Sequence, residues 1–573
     1  MFTCVIGGEA GFGIMSAGSA IAKLAVRSGY HTFDYSEYPS IVRGGHNVMY
    51  ITIDDKPVRT QQRHVQCLLA LNQETIDLHA KELTVGAFVL YDSSKGMNID
   101  ALGSAAVGID VPLFRIAKEY GGSSVMRNTA ALGAMVAVLG GELDLLQELI
   151  AEAFTHKPKT ITEKNHAVSA ATYDFVQRTY PEVCQNVLTT KGKKGERILM
   201  NANDAAAMGS VAAGLQFASI YPMTPTSNIM HILAKHQETY NFVYKQPEDE
   251  IAAINMAIGA AHAGARAMTA TSGGGFCLMS EGLGLAGITE TPIVIFEGMR
   301  GAPATGLPTW TEQGDLRFVL HAHQGDFPRI VLAPGDVEET FHMSMQAFNL
   351  AEKYQLPVIV LLDKHLCESH ISMELPEYGS FIIDRGKLQK TVRTSYKRYA
   401  DSDDGVSARA FAGDGNHFVA NSDEHTPEGY SDETSENRMV QMNKRMRKLD
   451  TVLEKDAWGP TLYGPKSGKT TIVCWGSTKG AALEALEEMS GVNVLHFSWL
   501  SPFPVEEVTK ILSRADRLVS VEGNYSGQFA GYLREKTGVH ITEKLLKYDG
   551  RPLYSEEIVK VVQPKEKKPP RLL

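Results

Sequence analysis

Short apolar runs alternate with helical stretches along most of this chain. The first run, Phe2 to Gly8, enters a glycine turn, and a helix begins at Ile14. A central series has a strand from Arg266 to Thr271, a glycine segment, a helix from Phe276 and a strand from Pro292 to Phe296. A strand, a glycine turn, a helix and a second strand in this order are typical of a doubly wound sheet. The pattern therefore predicts an α/β fold.

The length of the chain predicts several domains. At roughly 150 residues per domain, 573 residues correspond to about three or four. Breaks in the apolar pattern indicate three α/β domains, a polar linker, an irregular arm with few apolar residues and a disordered tail rich in lysine and proline. The predicted ranges, in that chain order, are domain 1–187, linker 188–197, domain 198–375, arm 376–468, domain 469–562 and tail 563–573.

Composition and charge exclude several classes of protein. The chain is 43% hydrophobic and 21% charged, which is an ordinary globular balance. Its net charge is -10, and basic blocks occur only at Lys191 to Lys194 and Lys565 to Arg571, so no nucleic-acid partner is expected. An apolar run of membrane-spanning length and a charged leader are both absent from the sequence. These features predict a cytoplasmic protein without a membrane partner.

The cysteines do not form a metal-binding pattern. The six cysteines are widely scattered and include no C-x-x-C spacing. This distribution argues against zinc and against an iron–sulfur cluster held by this chain alone. It also fits a reducing compartment. We therefore predict no metal site in this chain.

The stretch from Pro247 to Leu316 carries most of the candidate chemistry. Three acids, Glu248, Asp249 and Glu250, precede a helix of small residues, and Ser272 begins a run that continues with three glycines. Arg300 and Thr309 follow the second strand. In doubly wound sheets, ligands bind beyond the carboxyl ends of the strands, where these residues are expected to gather. The alternatives are a tight turn at the glycines and helix capping by the acids.

A second candidate segment, Tyr221 to Ser227, reads YPMTPTS. Its two prolines fix backbone φ angles, and several hydroxyls surround them. A rigid loop of this kind can hold a small carboxylate. Capping of a helix from Asn228 is the alternative explanation for Ser227.

The first glycine turn has the spacing G-x-x-G-x-G at Gly8, Gly11 and Gly13, which is not the dinucleotide spacing G-x-G-x-x-G. An anionic group at the following helix N-terminus is still plausible. Further along, Arg43 precedes Gly44 and Gly45. Arg43 is either a surface loop residue or a fork that binds a carboxylate or phosphate.

These motifs resemble those of the 2-oxoacid:ferredoxin oxidoreductases, which use thiamine diphosphate. Tyr221 to Ser227 is similar to the family's Tyr-Pro-Ile-Thr-Pro-Ser-Ser, and the Arg-Gly-Gly at Arg43 is similar to its gamma subunit. Pro502-Phe503-Pro504 and the segment Glu522 to Gln528 resemble its transketolase C-terminal-like domain. The resemblance covers nearly the whole chain. It implies a fused gamma–alpha subunit: a gamma-type domain, a transketolase pyrimidine-type domain and a transketolase C-terminal-like domain.

The resemblance also implies roles for individual residues. Glu250 would be the catalytic acid that activates thiamine, with Ser272, Gly273 and Gly274 beside the cofactor. The substrate-binding residues would be Thr224, Arg300 and Thr309, and Arg43 would bind a distal substrate carboxylate or coenzyme A. The family's Gly-Pro-Ser-Thr-Gly has Ala304 in place of its serine here, which is expected to alter substrate preference.

The chemistry of thiamine fits an acid at Glu250. A carboxylic acid next to N1' of the aminopyrimidine shares a proton with it and favours the imino tautomer, whose nitrogen removes the C2 proton. Desolvation beside a small-residue helix would raise the pKa of such a carboxyl. Glu248 is the alternative acid.

Two segments imitate other motifs. Gly413-Asp414-Gly415-Asn416 begins like the thiamine diphosphate–magnesium motif, but it lacks the preceding strand and the downstream Asn-Asn of the family. Gly464 to Thr470 is one residue short of a Walker A and precedes a strand, so ATP is not expected there. The acids of the arm could hold a cation, although solvated charge is the favoured reading. The resemblance implies instead that the arm packs on a partner.

The expected activity is that of a 2-oxoglutarate:ferredoxin oxidoreductase, with coenzyme A as co-substrate and succinyl-CoA, CO₂ and reduced ferredoxin as products, or the reverse. A beta subunit would supply Mg²⁺ and a [4Fe-4S] cluster in an (αβ)₂ assembly, and this chain alone would be inactive. Two alternatives remain: the same reaction on pyruvate, branched-chain or other 2-oxoacids, and a non-catalytic protein that binds a nucleotide at Gly8 to Gly13.

Overall fold

The computed structural model describes residues 1–41, 44–189 and 197–563, except for the side chain at position 104. The described chain forms two compact units. The first contains Met1–Met200 and Ser369–Leu375, and the second contains Asn201–Glu368 and the chain from Pro376 onward. Within the described residues, no helix combines the length and apolar character needed to cross a bilayer.

The helices and strands of the first 200 residues are β1 (Phe2–Glu9), α1 (Ile14–Arg27), β2 (His31–Glu37), β3 (His46–Asp54), β4 (Val65–Ala70), α2 (Gln73–His79), β5 (Leu83–Tyr91), β6 (Ala106–Asp110), α3 (Leu113–Gly121), α4 (Arg127–Leu139), α5 (Leu143–Ala153), α6 (Lys159–Thr179) and β7 (Arg197–Met200).

The middle of the chain contains α7 (Ala202–Ala212), β8 (Phe217–Ser219), α8 (Ser227–Tyr240), β9 (Val243–Lys245), α9 (Glu250–His262), β10 (Ala267–Thr271), α10 (Gly273–Ile288), β11 (Ile293–Met299), α11 (Leu316–His321), β12 (Ile330–Leu332), α12 (Val337–Tyr354), β13 (Pro357–Asp363), α13 (Lys364–Glu368) and β14 (Ile371–Glu374).

The remaining elements are α14 (Ser435–Lys455), β15 (Thr461–Tyr463), β16 (Thr470–Trp475), α15 (Thr478–Glu487), β17 (Val492–Phe497), β18 (Trp499–Ser501), α16 (Val505–Leu512), β19 (Arg517–Glu522), α17 (Gln528–Thr537), β20 (Glu543–Leu546) and α18 (Ser555–Val562).

The first unit is built on a mixed eight-stranded sheet with the order β6-β5-β4-β1-β3-β2-β14-β7. At one side of the sheet, the pairs β1–β4, β4–β5 and β5–β6 are parallel. At the other side, the pairs β1–β3, β3–β2, β2–β14 and β14–β7 are antiparallel. Its main core contains apolar residues of β1, α1, α4 and α5. Helix α4 is almost entirely apolar and buried because α1, α3, α5 and α6 all contact it. Strand β14, which lies far along the sequence, completes this sheet.

The second unit contains two sheets. A seven-stranded sheet has the order β18-β12-β13-β11-β10-β8-β9, parallel except at β18, and a five-stranded sheet has the order β15-β17-β16-β19-β20, parallel except at β15. One apolar core contains residues of both sheets, from Ala253 on α9 to Phe529 on α17. The α/β fold predicted from the sequence is confirmed.

Several expected element boundaries are wrong. The small residues from Ala205 to Gln216 predict a helix, and this helix, α7, begins earlier, at Ala202, because Asn201 and Asp204 form a capping box at its start. Helix α10 begins at Gly273 and not at Phe276, so the glycines are its first turn and not a loop. Ser227 is the first residue of α8 and does not cap it.

The segment expected to be an irregular arm contains a long helix. Most of the chain from Pro376 to Thr434 has no regular elements, but α14 spans 21 residues after it. The buried face of α14 is polar: it includes Gln441, Lys444, Arg445 and Lys448. Apolar residues of α14 at helical spacing, Met442, Met446 and Leu449, are only partly buried, so the face that packs is not the apolar one.

Candidate functional site

The candidate residues of the second unit gather at one edge of its seven-stranded sheet. Strands β8, β10 and β11 are neighbours and parallel, so their carboxyl ends lie side by side. The loop with Thr224 follows β8, Ser272 follows β10 and Arg300 follows β11. This is the edge at which ligands bind in doubly wound sheets. The structure therefore brings these residues together as the sequence predicts.

Glu250 is a buried acid at the start of α9. The preceding Asp249 is the helix cap, because its side chain accepts a hydrogen bond from the backbone N–H of Ala252 at 2.8 Å. Glu250 is therefore not needed as a cap, and only 3% of its surface is exposed. Its Oε1 atom is buried without a hydrogen-bond partner. Burial raises the pKa of Glu250, and the charge of Asp249 raises it further. The side chain is suited to carry a proton for a ligand.

The glycines that open α10 allow the acid to approach the helix. A Cβ atom at Gly275 would lie 2.5 Å from Oε1 of Glu250 and would also overlap the hydroxyl of Thr271. A Cβ atom at Gly274 would meet nothing within 4 Å, which leaves open space beside the first turn. Glycine at 275 is thus required by the position of Glu250, and the space beside Gly274 is open to a ligand.

Ser272 lies at the cap position of α10 but does not act as a cap. Its side chain is completely buried, and its hydroxyl oxygen has no hydrogen-bond partner. Buried hydroxyls are usually satisfied, so an unsatisfied one beside open space is a candidate contact for a ligand. A carboxyl group also approaches Gly273 closely, since a Cβ there would lie 2.9 Å from Cγ of Asp315.

Arg300 and Thr224 contact each other across the site. The guanidinium Nη1 of Arg300 donates a hydrogen bond to the backbone carbonyl of Thr224 at 2.8 Å. Arg300 forms no salt bridge within the part of the chain that the structure describes. Burial lowers the pKa of Arg300, and the nearby Asp315 acts in the opposite direction. The carbonyl of Thr224 occupies one N–H group of the Arg300 guanidinium. The other N–H groups of this side chain can donate to an anionic ligand.

Thr309 belongs to a tightly held loop. It is buried, and the loop is closed by a bridge between Gly301 and Leu307. Arg551, which lies in the loop between β20 and α18, also contacts this segment. Its guanidinium is 3.3 Å from the ring centroid of Trp310. Thr309 is therefore fixed on the segment that follows Arg300, and its role in substrate binding stays a prediction.

Sequence reasoning missed three acids near this edge. Glu297 lies within β11, Asp363 ends β13 and Asp315 precedes α11. Burial raises the pKa of Glu297 well above its usual range, raises that of Asp315, and raises that of Asp363 to about 6. The available signal was a glutamate inside the otherwise apolar strand PIVIFEGM, since an ionisable residue there is rarely buried without a reason.

The first unit contains the remaining candidates. Arg43 lies outside the described residues. Within the described residues of this unit, Nε2 of His46 is 2.8 Å from Nε2 of His79, whose Nδ1 is 2.8 Å from Glu82. Burial and His79 lower the pKa of His46 to about 4. Gly13 is the left-handed cap of α1 and leaves its N-terminus without a side-chain cap, as expected for the first glycine turn.

Two family profiles match the sequence. "Pyruvate ferredoxin/flavodoxin oxidoreductase" matches residues 3–175, and "Pyruvate flavodoxin/ferredoxin oxidoreductase, thiamine diP-bdg" matches residues 208–444. The first match falls in the first unit, and the second includes β10, β11 and the site at their carboxyl ends.

Curated relatives match along nearly their whole length and cover 64% to 98% of this chain. The 2-oxoacid:ferredoxin oxidoreductase subunit alpha of a Sulfolobus species is 34% identical over 98% of this chain and 97% of its own. The 2-oxoglutarate synthase subunit KorA of Archaeoglobus fulgidus is 33% identical and covers 64% of this chain and 99% of its own.

A solved structure has the same fold. The 2-oxoglutarate:ferredoxin oxidoreductase of Magnetococcus marinus, with 2-oxoglutarate, coenzyme A and succinyl-CoA bound, is 30% identical with a TM-score of 0.90. The similarity covers 98% of both chains. With full-length relatives, a thiamine diphosphate-binding profile over the acid-bearing edge and this shared fold, the chain belongs to the alpha subunits of the 2-oxoacid:ferredoxin oxidoreductase family.

Proposed function

We propose that this chain is the alpha subunit of a thiamine diphosphate-dependent 2-oxoglutarate:ferredoxin oxidoreductase. The reaction converts 2-oxoglutarate, coenzyme A and oxidised ferredoxin to succinyl-CoA, CO₂ and reduced ferredoxin, or runs in reverse. The observation that carries this proposal is the buried carboxyl of Glu250, whose Oε1 has no hydrogen-bond partner, beside the open first turn of α10.

The residues at this edge fit the cofactor. A carboxyl that is desolvated and has an unpaired oxygen suits a basic ring nitrogen, because the two can share a proton. Ser272, Gly273 and Gly274 offer an unpaired hydroxyl and open space next to it. When bound, thiamine diphosphate supplies the carbon nucleophile and the electron sink for the 2-oxoacid. Glu250 would hold the proton at the aminopyrimidine nitrogen.

Arg300, Thr224 and Thr309 bind the substrate in this proposal. Arg300 is oriented by its bond to the Thr224 carbonyl, and its other N–H groups can form a bidentate pair with the carboxylate of a 2-oxoacid. Partial burial strengthens such a pair because solvent screens it less. Thr224 and Thr309 contribute hydroxyls for the carboxylate and keto oxygens.

The choice of 2-oxoglutarate rests on relatives. The Archaeoglobus protein is named for 2-oxoglutarate, and the Magnetococcus structure contains it. The Sulfolobus protein is named for 2-oxoacids in general, so pyruvate and branched-chain 2-oxoacids form the second candidate class. Arg43 is our candidate for the distal carboxylate or for coenzyme A, and Ala304 is a candidate determinant of side-chain preference.

The proposal includes a beta subunit. The scattered cysteines of this chain do not suit an iron–sulfur cluster, so we assign the [4Fe-4S] cluster and the Mg²⁺ that binds the diphosphate to the partner. Two copies of each subunit would form an (αβ)₂ assembly that reduces ferredoxin. In this arrangement, the chain alone has no activity.

The test is a co-expressed pair assayed with a panel of 2-oxoacids. We expect coenzyme A-dependent reduction of a viologen dye, with kcat/KM for 2-oxoglutarate well above that for pyruvate. A higher kcat/KM for pyruvate or a branched-chain 2-oxoacid would show that 2-oxoglutarate is not the preferred substrate. The assignment to the 2-oxoacid:ferredoxin oxidoreductases would still hold. Calorimetry of the pair with thiamine diphosphate, NAD and ATP tests the non-catalytic alternative, which requires tight binding of a nucleotide and none of thiamine diphosphate.

The role of Glu250 has a matched control. We expect Glu250→Gln to lower kcat by about 100-fold or more, because an amide cannot share a proton with the ring nitrogen. Glu248→Gln, two residues earlier and exposed, should leave kcat near the wild-type value. Equal activity of the Glu250→Gln and wild-type complexes would refute the assignment.

A further inference from the structure

Two acids lie near each other beneath the candidate site. Glu297 is completely buried in β11, and neither of its carboxyl oxygens has a hydrogen-bond donor. Asp315, which precedes α11, has its carboxylate against Gly273 and is close enough to Glu297 for the two side chains to interact. A hydrogen bond between two carboxyl groups requires a proton on one of them. The missing donor for Glu297 is therefore supplied if the pair holds one proton.

The surroundings of Glu297 favour this protonation. The groups that act on it are Asp315, Asp363 from β13, and Cys277 from α10, all of which raise the pKa of Glu297 in addition to the larger effect of burial. When two carboxyl groups lie close together away from water, they do not both ionise. A metal ion does not provide an alternative explanation, because no group of acids, histidines or cysteines in the described chain is arranged to hold one.

The pair is connected to the candidate site on two sides. The carboxylate of Asp315 lies against Gly273, the first residue of α10, and its charge acts on Arg300. Glu297 pairs in register with Thr271, whose hydroxyl lies beside Gly275 and Glu250. The single negative charge of a pair with one proton is thus placed near the arginine that is oriented for a substrate carboxylate.

We propose that Glu297 and Asp315 share one proton and that the remaining negative charge positions Arg300 and limits how tightly it holds the substrate carboxylate. This role rests on the proposed function, in which Arg300 binds a 2-oxoacid. During decarboxylation, the C–C bond breaks and the substrate carboxylate loses its charge as CO₂ leaves. An arginine that holds this carboxylate too tightly stabilises the ground state more than the transition state and slows the reaction. Asp315 and Glu297 are positioning residues in this sense.

The kinetic test compares Asp315→Asn and Glu297→Gln in the co-expressed complex. Asp315→Asn removes the charge, so we expect both KM for the 2-oxoacid and kcat to fall, kcat by about tenfold. In the wild-type complex, KM should rise at alkaline pH, because loss of the shared proton gives the pair a second negative charge. Glu297→Gln cannot lose that proton, so its KM should stay constant over the same pH range. A rise of KM without a change of kcat in Asp315→Asn would overturn the proposal.

Two controls separate this role from a structural one. Glu312→Gln changes a half-buried acid of the same segment that lies outside the pair, and its KM should keep the wild-type pH dependence. The double variant Glu297→Gln, Asp315→Asn should have the same KM and kcat as Asp315→Asn, because both leave the pair without a negative charge. A kcat of the double variant well below that of Asp315→Asn would count against the pair.

An infrared measurement on the purified chain needs neither cofactor nor partner. A protonated carboxylic acid gives a carbonyl band that is separate from carboxylate bands and shifts in D₂O. The difference spectrum of wild type minus Glu297→Gln should contain this band at neutral pH, and that of wild type minus Glu312→Gln should contain no band attributable to Glu297. Absence of the band from the first spectrum would overturn the shared proton.

The two measurements also separate this inference from the proposed function. If the wild-type complex reduces no acceptor with any 2-oxoacid, the proposed function fails and the positioning role fails with it, while the infrared spectrum still decides whether the proton is shared. If the wild-type complex is active but Glu297→Gln has the wild-type pH dependence, only the present inference fails.

Discussion

At the scale of single residues, Gly275 is the position at which the site tolerates least change. Alanine there would place a Cβ atom 2.5 Å from Oε1 of Glu250 and against Thr271. We expect Gly275→Ala to displace the carboxyl and to lower kcat of the co-expressed complex by about 100-fold, since small misplacements of a reacting group are costly. Overpacking should also lower the free energy of unfolding by about 1–3 kcal/mol. Steady-state kinetics and urea unfolding measure the two effects.

The matched control is Gly259→Ala in the neighbouring helix α9. A Cβ atom at Gly259 would meet nothing within 4 Å. Alanine is favoured over glycine in a helix interior by about 1 kcal/mol, so this variant should be slightly more stable than wild type with normal kinetics. If Gly275→Ala behaves like Gly259→Ala, the position of Glu250 against α10 is not what the enzyme requires.

The strand and helix pattern predicted that Glu250, Thr224, Ser272 and Arg300 lie at the same sheet edge, whereas their roles came from the resemblance to the family and stay predictions. It could not predict the role of Glu297 or Asp315, because their significance comes from contact between residues 18 positions apart in the chain. The desolvation that raises the pKa of Glu297 is a property of packing and not of spacing.

At the scale of elements, helix α14 is attached through buried charges and not through an apolar stripe. Lys444 and Lys448 are completely buried and form salt bridges to Glu290 at 2.5 Å and 2.6 Å. Burial lowers the pKa of Lys448 to about 7, although Glu290 opposes this effect. The apolar residues of α14 are only partly buried, so the hydrophobic pattern that located β10, α9 and β11 does not identify the face of α14 that packs.

Removal of the Glu290 carboxylate, which pairs with both Lys444 and Lys448, should therefore destabilise the packing of α14. We expect Glu290→Gln to lower the free energy of unfolding by about 3–5 kcal/mol, because it leaves two buried lysines without their counter-charge. Chemical unfolding followed by circular dichroism measures this loss. The control is Glu428→Gln, which breaks the exposed pair with Lys397 and should change stability by no more than about 0.5 kcal/mol. Equal stability of the two variants would contradict a role for the buried network.

At the scale of the whole molecule, the proposed beta subunit explains an apolar surface beside the site. Ile251 and Met256 on α9 and Leu278 on α10 are exposed, Leu278 to 48%. They lie within two helical turns of Glu250 or Gly275, on the elements that form the cofactor side of the site. We infer a protein contact here because three large apolar side chains are exposed on the two helices beside the site. A cofactor that bridges two subunits requires such a contact near Glu250.

Leu278→Glu should prevent assembly without unfolding the chain. A charged carboxylate within an apolar interface has to be desolvated on binding, which costs several kcal/mol and reduces affinity by orders of magnitude. We expect the variant chain to keep its circular dichroism spectrum and melting temperature, to elute without the beta subunit on size exclusion, and to lack dye reduction in the co-expressed pair. Val85→Glu, which changes a residue of the first unit that is 92% exposed, should assemble and turn over normally. Because the substitution leaves Glu250 and Arg300 in place, loss of activity with loss of the partner would show that this chain holds only part of the active site. An active complex formed by the Leu278→Glu chain would instead require the beta subunit to bind elsewhere.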